Sequence, residues 1–125
     1  MHALNTLLVG SGGALGCIVR YFSNELLLRV STSLRFPFTT FVINVTGCFL
    51  IGCAVGYQKG TLSPEARLLL ITGFLGGFTT FSTFGLETFS LLKQDEIAKV
   101  LINVLGQVVL GVLAVWGGLK VSELI

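Results

Sequence analysis

Four stretches of this chain carry no Asp, Glu, Lys or Arg: 1–19, 36–58, 68–86 and 100–119. Each is 19 to 23 residues long, and about 20 apolar residues in a helix cross the roughly 30 Å hydrocarbon core of a bilayer. A backbone in hydrocarbon must satisfy its own hydrogen bonds, so runs of this length are read as helices. Only 11% of the 125 residues are charged, against about 25% in soluble domains. The mean hydropathy is +0.90. The sequence therefore predicts one all-α integral membrane domain over 1–125, with spans at about 3–28, 38–57, 64–92 and 96–121.

The third run is wrong for a continuous helix. It contains Thr72-Gly73-Phe74-Leu75-Gly76-Gly77-Phe78-Thr79-Thr80-Phe81-Ser82-Thr83-Phe84. Gly76 and Gly77 each cost a helix about 1 kcal/mol relative to Ala, and the Thr and Ser hydroxyls compete for backbone partners. A break over 76–80 is expected, and it frees carbonyls. In a membrane such groups persist only where they are buried in protein, line a wet cavity or hold an ion. Phe78, Phe81 and Phe84 follow at a spacing of three, which winds along one side of the resumed helix. Lipid contact or core packing is the plain reading of such a row, and the neighbouring hydroxyls argue for more.

Two other spans carry polar groups at depth. With the first span centred near Leu15, Arg20 lies only about 7 Å from its middle at 1.5 Å per residue. A lipid-facing cation there costs at least roughly 2.5–3.5 kcal/mol, so Arg20 either snorkels or faces a wet vestibule in which it concentrates anions. Asn44 needs a partner, since an unpaired amide in apolar surroundings costs several kcal/mol. In the fourth span Asn103 and Gln107 stand one turn apart on one face.

Ser31 to Pro37 and Gln58 to Ser63 read as loops, and Ser63-Pro64-Glu65 supplies an N-cap, an N1 proline and a first-turn carboxylate. Asp95 and Glu96 start the fourth helix. Gly12/Gly16, Gly52/Gly56 and Gly73/Gly77 are small-xxx-small pairs suited to close helix contacts. So short a chain cannot enclose a solvated path alone, which predicts an oligomer. Cys17, Cys48 and Cys53 sit in apolar runs without ligand spacing and read as packing residues. No phosphate loop, zinc signature or nucleophile motif is present, so an enzyme is not expected. The eight Lys and Arg are scattered, which argues against nucleic-acid binding. Lys59, Arg67 and Lys120 fall on the N-terminal side of the membrane, and Arg29, Arg35, Lys93 and Lys99 on the other. This near balance gives neither orientation a preference.

Taken together, Gly12-Gly13-Ala14-Leu15-Gly16-Cys17-Ile18-Val19-Arg20-Tyr21, Asn44 with Gly47, and the segment Gly73 to Phe84 resemble the Fluc fluoride channels, also called CrcB proteins. The likeness extends over essentially the whole chain. It implies a fluoride-selective channel that exports the ion passively across the bacterial inner membrane and protects the cell from its toxicity. It also implies a homodimer of two oppositely inserted copies with two pores and a central structural Na+. By that resemblance Phe81, Phe84, Asn44, Ser82, Thr83 and Gln107 belong to the fluoride pore, Arg20 to the vestibule, and the Gly76 and Thr79 carbonyls to the Na+ site. Cys17 stands where Ala is expected and Gln107 where a hydroxyl residue is expected. A proton-coupled multidrug antiporter of similar size is the competing transporter reading, but it needs an embedded carboxylate in the first span, where residues 1–19 have none and Glu25 and Glu87 fall towards helix ends. A non-conducting structural subunit is the other, and it leaves the break and Arg20 unexplained.

Overall fold

The structure, a computed structural model, describes residues 2–56 and 62–124. It holds four helical segments long and apolar enough to cross a membrane, and among the described residues there is no strand. Helix α1 is His2–Leu34 and α2 is Phe38–Gly56. The third span, Pro64–Lys93, is divided into α3 (64–78) and α4 (Phe81–Lys93), and α5 is Ile97–Glu123. The chain is a multi-pass membrane protein.

Helix α1 runs six residues past its expected end near Leu28. Ser31 and Thr32 do not stop it, because the Thr32 hydroxyl donates back to the Leu28 carbonyl at 3.0 Å and that of Ser31 donates forward to Phe36 O at 2.8 Å. The helix ends instead at Arg35, which has φ 47°. Arg35 N–H donates to Thr32 O and Phe36 N–H to Ser31 O, both at 3.3 Å. This paired closure normally uses Gly at the left-handed position. Asp95 repeats it after α4, with φ 56° and bonds from Asp95 N–H to Leu92 O and Glu96 N–H to Leu91 O. Of the expected loop Gln58–Ser63, only Leu62 and Ser63 lie within the described residues. Ser63 caps α3 as expected, its hydroxyl accepting from Ala66 N–H at 3.1 Å.

Packing is by backbone contact more than by a greasy core. Among the described residues only Ile43, Leu75, Phe78 and Leu91 are buried large hydrophobics. Helix α1 packs along α3, and α2 along α5. A Cβ on Gly12 would strike the Leu69 carbonyl, and one on Gly73 would come 2.8 Å from Val9 O and 3.0 Å from Gly12 Cα. Gly52 and Gly118 face each other in the same way, the added Cβ of Gly52 lying 3.1 Å from Gly118 Cα. The small-residue pairs read from the sequence thus join α1 to α3 and α2 to α5. Large apolar side chains such as Leu7, Phe22, Leu26, Leu86 and Trp116 are exposed on the outer helix faces, which suits a chain in a bilayer.

The break in the third span is shorter than 76–80. Gly76, Gly77 and Phe78 remain helical, and only Thr79 (φ −86°, ψ 160°) and Thr80 (φ −150°, ψ 115°) are extended. Gly77 serves proximity instead, since its Cβ would collide with the Gly13 carbonyl. Phe78 therefore ends α3, buried and stacked on Phe74 at 5.9 Å. It does not share the helix of Phe81 and Phe84, which begins beyond the break. Ahead of the break, Leu68–Leu75 is wound as a π-helix, a widening that nothing in the sequence announces and that often marks functional sites.

Candidate functional site

The break is held open by one side chain. In an unbroken α-helix Thr80 N–H would donate to the Gly76 carbonyl. Here it donates to Asn44 Oδ1 at 3.0 Å, while Asn44 Nδ2 donates back to Thr80 O at 3.2 Å. Asn44 lies in the middle of α2, so its amide replaces the partners that the helix has lost. Leu75 O closes α3 by accepting from both Thr79 N–H at 3.1 Å and the Thr79 hydroxyl at 3.0 Å. The Thr80 hydroxyl then caps α4, accepting from Thr83 N–H at 3.3 Å.

Two cavities meet at Thr80. One is an open groove of about 470 Å³ lined by Asn44, Gly76, Thr79, Thr80, Phe81, Phe84 and Gln107, with apolar residues completing it. The other, about 310 Å³, is lined by Arg20, Tyr21, Asn24, Thr40, Thr80 and Thr83 together with Cys17 and Ile43. Thr80 borders both, so the extended segment is the partition between them. Phe81 is 84% exposed, and its ring lies 5.5 Å from that of Phe84 at an interplanar angle of 41°.

Asn44 also begins a chain of side chains. Its Nδ2 donates to Gln107 Oε1 at 2.8 Å, Gln107 Nε2 to Asn103 Oδ1 at 2.9 Å and Asn103 Nδ2 to Thr88 Oγ1 at 2.9 Å. Thr88 Oγ1 donates to Phe84 O at 2.7 Å. Asn103 has no exposed surface. The hydrogen bond that Asn44 required is thereby found three times over, across α2, the break and α5.

Arg20 makes no salt bridge among the described residues. Its guanidinium donates to Cys17 Sγ at 3.6 Å and borders the second cavity, so a positive charge without a salt-bridge partner among the described residues lines that cavity. The structure thus brings Asn44, Phe81, Phe84 and Gln107 to one groove with Gly76 and Thr79, and puts Arg20 and Thr83 in the neighbouring cavity. Ser82 lines neither of the two. It is exposed, with Oγ 3.3 Å from Thr80 Oγ1. No group of three His, Cys, Asp or Glu that could hold a metal occurs among the described residues.

Sequence reasoning gave Thr40 no role and put Glu87 towards a helix end, whereas Glu87 stands in the middle of α4. The Thr40 hydroxyl donates to Glu87 Oε1 at 2.9 Å, while Glu87 Oε2 and the Thr39 hydroxyl are buried without a partner among the described residues. The available signal was Glu87 itself, a carboxylate one residue beyond a charge-free run and two turns into α4.

Comparison with known proteins places this sequence in a family. The chain matches, over residues 7–119, the family model described as CrcB-like protein, Camphor Resistance (CrcB). It is 40% identical over 120 residues to the fluoride-specific ion channel FluC of Methylobacillus flagellatus, covering 94% of each chain. It is 44% identical over 122 residues to that of Rhizobium etli, covering 96% of this chain and 97% of the relative. Against that of Chlorobium phaeobacteroides it is 42% identical over 120 residues, or 94% and 92% of the two chains.

Proposed function

The chain belongs to the CrcB family, and from that premise we propose that it is a fluoride-selective channel, not an enzyme, which lets the ion leave a bacterial cell passively through the inner membrane. The observation that carries this reading is the pair of cavities meeting at Thr80, one lined by the Arg20 cation and the other by amides and aromatic rings.

Fluoride is small and tightly hydrated, and stripping a bare ion of that kind into an apolar medium costs tens of kcal/mol. One hydrogen bond to a charged group returns only about 1.5–3 kcal/mol. No single ligand suffices, so the ion must be handed along several donors and keep part of its water. Arg20 raises the local anion concentration at the vestibule. The hydroxyls of Thr80 and Thr83 are 3.0 Å apart and offer the next donors. Beyond the partition come the Asn44 amide and the rims of Phe81 and Phe84, because an aromatic ring is positive at its edge and negative on its face.

The open groove and the exposure of Phe81 support a partner copy as the missing wall. The near balance of basic residues supports insertion of the two copies in opposite orientations, forming an antiparallel homodimer with two pores. A structural Na+ fits the break, because diversion of Thr80 N–H to Asn44 leaves the Gly76 carbonyl without its helical donor. Gly76 is exposed, with open space where a Cβ would stand. Hard carbonyl oxygens of Gly76 and Thr79 suit such a cation. When bound, it supplies a fixed positive charge beside the anion route. The role in the cell is tested with a bacterium lacking its own fluoride channel. Expression of this protein restores growth at inhibitory fluoride, and growth no better than with an empty vector overturns the reading.

A further inference from the structure

We propose that Gln107 is a fluoride ligand that works by reversing the hydrogen-bond chain behind it, turning from acceptor to donor when the anion arrives; the inference rests on the channel reading above. An amide nitrogen has two N–H groups. Both of those on Asn44 are engaged, one by Thr80 O at 3.2 Å and one by Gln107 Oε1 at 2.8 Å. An anion in the groove therefore finds no free N–H on Asn44, and the Gln107 oxygen bordering the groove repels it. One of the two bonds has to yield.

The Thr80 bond is half of a two-bond clamp on the main chain, and losing it exposes the break. The Gln107 bond can be exchanged. All donors in the chain point one way, from Asn44 through Gln107, Asn103 and Thr88 to Phe84 O. Rotating the Gln107 and Asn103 amides by half a turn, and the Thr88 hydroxyl towards Asn103, reverses every member after Asn44. Terminal amide torsions are broad and two-fold, so the two settings occupy nearly the same space. Thr88 then donates to Asn103 Oδ1, Asn103 to Gln107 Oε1, and Gln107 presents an N–H to the groove beside the released N–H of Asn44. The Phe84 carbonyl gives up the Thr88 hydroxyl and still accepts from the α4 backbone ladder. No polar group in the interior is stranded, which matters because Asn103 is 0% exposed. In the reversed setting two donors face the anion where the resting setting offers none.

The test combines side-chain amide spectroscopy with flux. In 15N-labelled protein in nanodiscs, fluoride moves the Asn103 side-chain resonance with the same midpoint as those of Asn44 and Gln107, although Asn103 lines neither cavity. Chloride leaves all three in place. In proteoliposomes Gln107→Met, equal in length but without donor or acceptor, lowers fluoride flux roughly tenfold, the factor carried by one hydrogen bond to a charged group. Thr88→Val lowers it in the same direction and silences the Asn103 response, and Thr88→Ser restores both. An Asn103 resonance that stays still while wild-type protein conducts fluoride overturns this inference and leaves the channel reading intact. Absence of fluoride flux in the wild type overturns the channel reading itself.

Discussion

Asn44 holds both main-chain groups of Thr80, accepting from its N–H at 3.0 Å and donating to its carbonyl at 3.2 Å. A side chain on α2 thus completes a helix end on the third span, and the same amide borders the groove. Structure and transport are coupled at this one residue.

Asn44→Asp separates the two roles in part. A carboxylate can still accept from Thr80 N–H, but it sets a charged oxygen against Thr80 O and against any anion. Each polar group left unpaired costs about 1–3 kcal/mol. The expected result is a lower midpoint of thermal unfolding in detergent and fluoride flux reduced at least roughly tenfold. Wild-type flux in this variant would return Asn44 to a packing role.

Phe81→Ile and Phe84→Ile keep bulk while removing the positive ring edge. Because Phe81 is 84% exposed within the chain, its replacement costs little folding energy, so an effect on transport reports on the ring. Fluoride flux should fall well beyond any loss of folded protein measured by size-exclusion chromatography. Flux in proportion to folded protein would show that the rings only fill space.

Gly12 and Gly10 are neighbours on α1 with opposite demands. A Cβ on Gly12 would strike the Leu69 carbonyl and lie 3.0 Å from Phe74 N, while one on Gly10 meets nothing within 4 Å. Gly12→Ala should destabilise by about 1–3 kcal/mol through overpacking, and Gly10→Ala should be neutral or slightly stabilising from helix propensity. Thermal unfolding followed by helical circular dichroism decides. Equal stability of the two variants would mean that α1 and α3 do not meet through Gly12.

Much of this architecture was legible in the residues, for a physical reason in each case. Four charge-free runs gave the four spans because hydrocarbon leaves the backbone few alternatives. Ser63-Pro64 marked the start of α3 because its chemistry is local. The Ser31–Pro37 loop is shortened to 35–37 because Ser31 and Thr32 can satisfy their hydroxyls on backbone carbonyls without ending the helix. Gly76 and Gly77 identified the right place for the wrong reason. Gly77 admits the backbone of α1 while Gly76 has open space beside it, and it is Asn44, distant in sequence, that draws Thr80 out of the helix. The partnership of Thr40 with Glu87 and the π-helical winding of Leu68–Leu75 depend on how the helices are set against each other, which single-sequence spacing does not encode.

Opposite insertion of two copies is checked by labelling. With Cys17, Cys48 and Cys53 replaced, a single Cys at the exposed position of Gln94, in the turn after α4, should react with an impermeant thiol reagent in roughly half of the copies in intact cells, as a basic-residue balance without bias implies. Complete labelling or complete protection would rule out dual orientation.

The central claim, that these two cavities carry fluoride in preference to other anions, is tested most directly with purified wild-type protein in liposomes loaded with equal fluoride and chloride. Ion-selective electrodes follow both anions after a potassium ionophore is added to balance charge. The account predicts rapid release of fluoride with chloride retained until detergent is added. Release of both anions at similar rates, or retention of both, would contradict it.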